Sequence, residues 1–219
     1  MQLYDKLLGL PLFQGMSSSD LQDVVGNYRI GFLKYKRGET IIEAGDQCRR
    51  LLFLLDGDMD MTATSANHSF SVTEQLPAPS IIEPERLFGM NQYYSRTYVT
   101  RSQCHLLSIS KEDVISMSSQ YMVFRLNVMN ILSTQSQRQQ RFIWQHHSDT
   151  VEGRVVRFLR QHCALPSGRK VFHIKMQHLA NEINDSRLEV SEVLNRMNDD
   201  GRIILQRGII TIPKGSALN

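Results

Sequence analysis

The sequence is poor in cysteine, with three residues in 219: Cys48, Cys104 and Cys163. They are widely spaced and odd in number, so they fit neither a disulfide framework nor a paired-thiolate zinc site. One chain cannot draw the four thiolates of an iron-sulfur cluster from them. Reduced thiols are expected, and no metal; His105 beside Cys104 reads as a surface or satisfied residue rather than a haem ligand. Nowhere do about 18 apolar residues run together, which excludes an ordinary transmembrane helix and any membrane partner built on one. The opening from Met1 to Leu12 lacks the basic start and small-residue cleavage site of a secretory signal, so a cytoplasmic protein is expected. A P-loop, a Gly-x-Ser-x-Gly elbow and a His-Glu-x-x-His pair are all missing, and the chain is not expected to be an enzyme.

What is present is ordinary globular material: 41% hydrophobic and 21% charged residues, without a low-complexity tract. The length exceeds the usual size of one domain and predicts two. Charge is divided unevenly. Residues 1–150 hold 14 Lys and Arg against 15 Asp and Glu, whereas residues 151–219 hold 11 against 7. The basic excess belongs to the C-terminal third, where a phosphate-facing surface is therefore expected.

Along the chain, Ser17-Ser18-Ser19-Asp20 caps a short helix carrying Leu21, Val24 and Val25. From Phe32 to Leu107, short apolar runs alternate with turn residues such as Ala44-Gly45-Asp46 and Asp56-Gly57-Asp58, which predicts a small antiparallel barrel or roll. Lys111-Glu112-Asp113 opens a helical region. There Tyr121, Phe124, Val128, Ile131, Gln135, Arg138 and Phe142 recur at steps of three and four, apolar first and polar later. Such a seam serves either a second helix from another copy or the chain's own β-roll. His146-His147-Ser148 breaks the pattern and places a domain boundary near Ser148. Asp149 with Glu152 resembles a capping box for the next helix, which carries Val151, Val155, Phe158, Leu159 and Cys163 and ends at Pro166-Ser167-Gly168.

The densest signal lies between Ile174 and Ile212. Leu179, Ala180 and Ile183 mark a two-turn amphipathic helix, Asn184-Asp185 a turn, and Ser186-Arg187-Leu188-Glu189 the capping box of a second helix. In that helix Val190, Val193, Leu194 and Met197 form an inner stripe, leaving Arg187, Leu188, Ser191, Glu192 and Asn195 on or near the other face. One face locked and one face free is what entry into a major groove requires. Ile203-Ile204-Leu205, the turn Gln206-Arg207-Gly208 and Ile209 to Ile212 then read as a β-hairpin wing with Arg207 at its tip.

Leu12-Phe13-x-Gly15-Met16-Ser17, Gly38-Glu39-x-Ile41-Ile42-x-x-Gly45-Asp46, Leu52-Phe53-Leu54-Leu55-x-Gly57 and the Gln177 to Ile203 helix-turn-helix resemble the Crp/Fnr family of bacterial transcription regulators over nearly the whole chain. The resemblance implies an α+β fold: an N-terminal antiparallel β-roll of the cyclic-nucleotide-binding type over residues 1–110, a long dimerisation helix over 111–147 and a C-terminal winged helix-turn-helix over 148–219. It implies a homodimer that pairs through Tyr121, Phe124, Val128, Ile131 and Gln135. It also implies an inverted-repeat operator in double-stranded DNA, and RNA polymerase as a further partner.

The candidate DNA contacts are Gln177, Ser186, Arg187, Leu188, Ser191, Glu192, Asn195 and Arg207. Arg187 matches the family's first recognition arginine and suits a bidentate contact to guanine or a contact to phosphate. Leu188 stands where the family carries Glu, and Glu192 where it carries a second Arg, so the operator is expected to differ. Glu192 either accepts from cytosine N4 or remains solvated, while Glu189 serves as the capping partner of Ser186.

In the sensor, Glu85 and the pair Arg96-Thr97 fall at the positions that hold the ribose and cyclic phosphate in the family. Pro84 removes an amide donor, Arg86 adds a charge and Tyr98 adds bulk. These departures weigh against cyclic AMP or GMP and leave the effector open. The competing function is a ligand-binding regulatory module that acts through a protein partner.

Overall fold

The structure, a computed structural model, describes residues 7–140 and 149–213. Phe142 of the helical seam, His146, His147 and the boundary position Ser148 lie outside the described residues. The strands are β1 (Gly31–Tyr35), β2 (Thr40–Ile42), β3 (Arg50–Asp56), β4 (Asp58–Thr64), β5 (Phe70–Pro77), β6 (Ser80–Ile82), β7 (Thr97–Thr100), β8 (Cys104–Ser110), β9 (Lys170–Ile174), β10 (Ile204–Gln206) and β11 (Ile209–Ile212). The helices are α1 (Ser18–Asn27), α2 (Lys111–Gln120), α3 (Met122–Gln140), α4 (Val151–Gln161), α5 (Met176–Glu182) and α6 (Arg187–Asp199). Two compact units form. Among the described residues, the first draws on 7–58, 77–94 and 100–139, and the second on 59–76, 95–99, 140 and 149–213.

The first unit contains an antiparallel sheet in the order β1-β8-β3-β6. Of the two central strands, β3 is a near-continuous apolar run and β8 buries Cys104, Leu106, Leu107 and Ile109, as cover on both faces demands; Phe53 lies opposite Leu107. A register shift between Leu54 and Asp56, after which Asp56 lies opposite His105, precedes the Asp56-Gly57-Asp58 turn. Gly57 is required there: its φ is +92°, and a Cβ would lie 2.5 Å from the carbonyl oxygen of Gln103. Helix α1 is capped by Ser17, which accepts from the Asp20 amide at 3.1 Å, and buries Leu21 and Val24. Ser110 caps α2 in the same way through the Asp113 amide at 3.0 Å.

The long helix α3 is fastened to its own chain at its start. Phe124 is fully buried with its ring 5.6 Å from that of Phe13, and Tyr121 is buried edge-on to Tyr28 at 6.4 Å. Asn127 donates from Nδ2 to the carbonyls of Leu12 and Gln14 at 3.0 and 2.9 Å. Val128, Ile131 and Leu132 line an apolar cavity with Leu12, Leu51 and Val114. Of the two uses open to the seam, packing within the chain's own first unit takes up Tyr121 and Phe124, against Tyr28 and Phe13 of the helical segment ahead of β1. The exposed apolar side chains of α3 are instead Met122, Val123, Leu126 and Met129.

In the second unit the strand order is β10-β11-β9-β5-β4-β7. Strand β9, which the sequence reading does not predict, joins β5 by antiparallel pairing, with Phe70 opposite Ile174, Val72 opposite Phe172 and Glu74 opposite Lys170. Phe70 and Val72 enter the same apolar core as Val155, Phe158 and Leu159 of α4 and the inner stripe of α6. At the far end of the β5–β9 ladder, Lys170 Nζ meets Glu74 Oε1 at 2.8 Å, each side chain only 3% exposed. Glu74 also accepts from the amides of Ala164 and Leu165 at 2.6 and 3.0 Å, and Lys170 donates to the Ser167 carbonyl at 3.0 Å. The buried charges are therefore opposed and hydrogen-bonded, the condition under which such a pair persists.

Helix α4 begins one residue later than expected. Thr150, not Asp149, is the N-cap, its hydroxyl accepting from the Gly153 amide at 3.1 Å, while the Asp149 carbonyl accepts from Arg154 Nη1. Arg154 also pairs through Nη2 with Asp185, in the turn ahead of α6. That turn uses Asn184 at φ +54°, a left-handed conformation that Asn tolerates well among non-glycine residues. Asp185 in turn accepts from the Ser186 amide at 2.9 Å.

Lys170→Met leaves the buried Glu74 carboxylate with amide donors but no counter-charge, and should cost about 3 kcal/mol in chemical denaturation; a loss under about 1 kcal/mol contradicts this account. The Arg154 hydrogen bond holds the Asp185 carboxyl below its ordinary value of 3.8. A carboxyl depressed in the folded state stabilises fully above its unfolded value and ceases to do so as pH falls through its folded value. Asp185→Asn should accordingly be less stable than the parent at neutral pH, with the gap closing in acid; a gap independent of pH refutes the assignment.

Candidate nucleic-acid interface

Helix α6 is built from a double cap. The Glu189 amide donates to Ser186 Oγ at 3.1 Å, and the Ser186 hydroxyl in turn donates to Glu189 Oε2 at 3.1 Å. The Ser186 amide, which a full capping box would give to Glu189, goes to Asp185 instead. Ser186 and Glu189 are thus engaged in starting the helix. Val190, Val193, Leu194 and Met197 are buried, as the inner stripe predicts. Arg187, Leu188, Glu192 and Asn195 are exposed and Ser191 is half-buried. Helical spacing sorts these into two adjacent rows, Arg187-Ser191-Asn195 and Leu188-Glu192.

Three of the candidate contacts come together. Gln177 at the start of α5, Arg187 at the start of α6 and Arg207 in the β10–β11 turn line one open groove. Gly208, at φ +75°, completes that two-residue turn and lets the wing double back. Gln177 itself is oriented by a hydrogen bond from Nε2 to Asn181 Oδ1 at 3.0 Å. Lys175 and Gln206 line the same groove and were not singled out by sequence reasoning. A signal for Lys175 existed: it is the N-cap of α5, and a cation at the positive end of a helix does nothing for that helix.

The opposite flank of α6 has a different character. Glu189 and Glu192 border a concavity with Thr150, Glu152 and Arg196. Glu152 pairs with Arg202 and, at 3.8 Å, with Arg196. Cations therefore line the groove between α6 and the wing, and carboxylates gather on the other side.

The candidate sensor residues lie in two places. Glu85 is half-buried in a single 3-10 turn, Pro84–Arg86, within the first unit. Arg86 points to Glu83, Nε to Oε2 at 3.4 Å, so its charge is balanced locally. Arg96 and Thr97 are half-buried at the start of β7 in the second unit, and Tyr98 is a core residue at 2% exposure.

All three cysteines are buried and free. Burial raises the thiols of Cys48 and Cys104 and pushes Cys163 up to about 12. The thiolate needed for ligation or attack is disfavoured at each. Among the described residues, no group of three or more His, Cys, Asp or Glu side chains is placed to hold a metal ion, and no helix is long and apolar enough to cross a membrane.

Comparison with known proteins agrees with this geometry. Residues 32–121 match the model of the cyclic nucleotide-binding domain, and residues 153–219 that of the Crp-like helix-turn-helix domain. Among curated proteins no sequence matches. Similar solved structures include a protein described as a transcriptional regulator of the Crp/Fnr family from Eubacterium rectale, at 18% identity and a TM-score of 0.53 over 95% of this chain and 96% of that one. The Thermus thermophilus catabolite activator protein is similar at 19% identity and a TM-score of 0.50, again over 95% and 96%. The sensor domain of the transcriptional regulator DNR from Pseudomonas aeruginosa is similar at 15% identity and a TM-score of 0.52, over 67% of this chain and 95% of that one. At such identities these likenesses speak to the fold, which is the expected β-roll, long helix and winged helix-turn-helix. With a cyclic-nucleotide-binding-type domain ahead of a helix-turn-helix whose outer face is free, the chain belongs to the Crp/Fnr family of transcriptional regulators.

Proposed function

We propose that the protein binds an inverted-repeat operator as a homodimer, under control of a signal received by the β-roll. In this reading residues 1–110 sense, 111–147 pair and transmit, and 148–219 bind DNA. The observation that carries it is the outer face of α6: Arg187, Leu188, Glu192 and Asn195 stand exposed on a helix whose other face is locked into the core. Arg187 offers a planar pair of donors to guanine O6 and N7. Gln177, Lys175 and Arg207, around the same groove, suit the phosphates on either side, which fix register without reading sequence. Ser191, Asn195 and Glu192 face further base edges, with Glu192 an acceptor for cytosine N4.

Pairing of two copies is assigned to α3. Its exposed stripe Met122, Leu126 and Met129 repeats at steps of four and three, the spacing of a helix-pairing seam, with Val128, Ile131 and Gln135 on the flank. Two copies so joined present two α6 helices to half-sites about 34 Å apart, one turn of DNA.

Selection of bound duplexes from random sequence should return a palindrome; selection without any enriched sequence argues for a protein partner instead. Against that palindrome, Arg187→Ala should lose about tenfold or more in affinity while binding to random DNA changes little, as read by fluorescence anisotropy at fixed salt. An equal loss on both makes Arg187 a phosphate contact. Leu126→Glu, on an exposed position, should shift the protein toward monomer in sedimentation equilibrium and weaken operator binding; an unchanged dimer places the interface elsewhere.

A further inference from the structure

We propose that Leu188 reads the 5-methyl group of a thymine in each half-site, so that part of the operator's specificity is apolar. This rests on the assignment of α6 to the major groove. Leu188 is 70% exposed, more than any other large apolar side chain described in the second unit. It adds nothing to the fold: the inner stripe of α6 lies on the other face, and its row-mate one turn on is the exposed Glu192.

As the second residue of the helix, Leu188 projects back toward the helix N-terminus. That is the end of a recognition helix that meets base edges. An isobutyl group there neither donates nor accepts a hydrogen bond. Of the four base pairs, those with thymine alone offer an apolar group on the major-groove edge, its C5-methyl. Against a G·C pair, the same side chain would cover O6, N7 or N4 and leave them without water or partner, a cost that sharpens the preference. Leu188 therefore discriminates twice, by burying a methyl and by penalising an edge that lacks the methyl and whose polar atoms it would cover.

The test uses the full-length protein and the palindrome recovered by selection. Each symmetric pair of thymines is replaced in turn by deoxyuridine, which removes the two methyl groups and nothing else. Burial of one methyl corresponds to about fourfold in affinity, so one symmetric pair should weaken the parent by about fifteenfold. In Leu188→Ala, whose side chain is exposed and whose fold is checked by its thermal melt, the same replacement should change affinity by less than about twofold.

If no thymine pair is sensitive to loss of its methyls, or if the sensitivity persists undiminished in Leu188→Ala, the proposal fails while DNA binding stands. If selection enriches no duplex at all, both readings fall together.

Discussion

A helix that reads DNA has to be held by one side only, and the structure depends on how α6 meets that constraint. Val190, Val193, Leu194 and Met197 lie on a single stripe and are buried in the core of the second unit. Everything polar on the helix is displaced to the other side by that choice. The start of the helix is fixed as firmly as its face: Ser186 caps it, Asp185 holds the Ser186 amide and Arg154 holds Asp185. Position, rotation and starting point are thus set by the protein alone, before any partner is present, which limits the ordering cost that binding must meet.

The core beneath α6 is not made from the C-terminal region alone. Phe70 and Val72 of β5 belong to it, and β5 pairs with β9 along a ladder that ends in the buried Glu74–Lys170 pair. Strand β5 and helix α6 therefore share one packed interior. Because such interiors are close-packed and respond to displacement by switching between arrangements rather than by yielding smoothly, a shift of β5 cannot leave the support of α6 untouched. His178, in the first helix of the helix-turn-helix, meets the carbonyl of Ser69 just before β5 at 3.1 Å and adds a polar tie to the same junction.

Much of this was legible in the sequence, and the reasons are local. The helix-turn-helix rests on periodicity, on a capping pattern and on an Asn in the one turn position needing a left-handed backbone. Each of these is decided by residues within four positions of one another. The β-roll was legible as a class from its spaced turns, with Gly57 the clearest marker. What escaped is what long-range pairing decides. Lys170-Val171-Phe172-His173-Ile174 alternates well enough for a strand, yet a lysine at its head reads as an exposed residue, and only the carboxylate of Glu74 from a distant strand explains its burial. The heptad pattern at Tyr121 and Phe124 was visible, but spacing alone does not say which partner fills a seam, and Phe13 and Tyr28 of the same chain fill this one. Arg154 was silent for the same reason, its role being set by Asp185 in a different element.

The central claim is that the outer face of α6 lies in the major groove with Arg187 against a guanine. Dimethyl sulfate reports on this directly, because it methylates guanine N7 in the major groove and adenine N3 in the minor groove. The account predicts that the protein shields one guanine N7 in each half-site, that Arg187→Ala at saturating concentration uncovers it, and that adenine N3 reactivity beneath α6 is unchanged. Shielding confined to adenine N3, or guanine shielding that ignores the loss of Arg187, would contradict it.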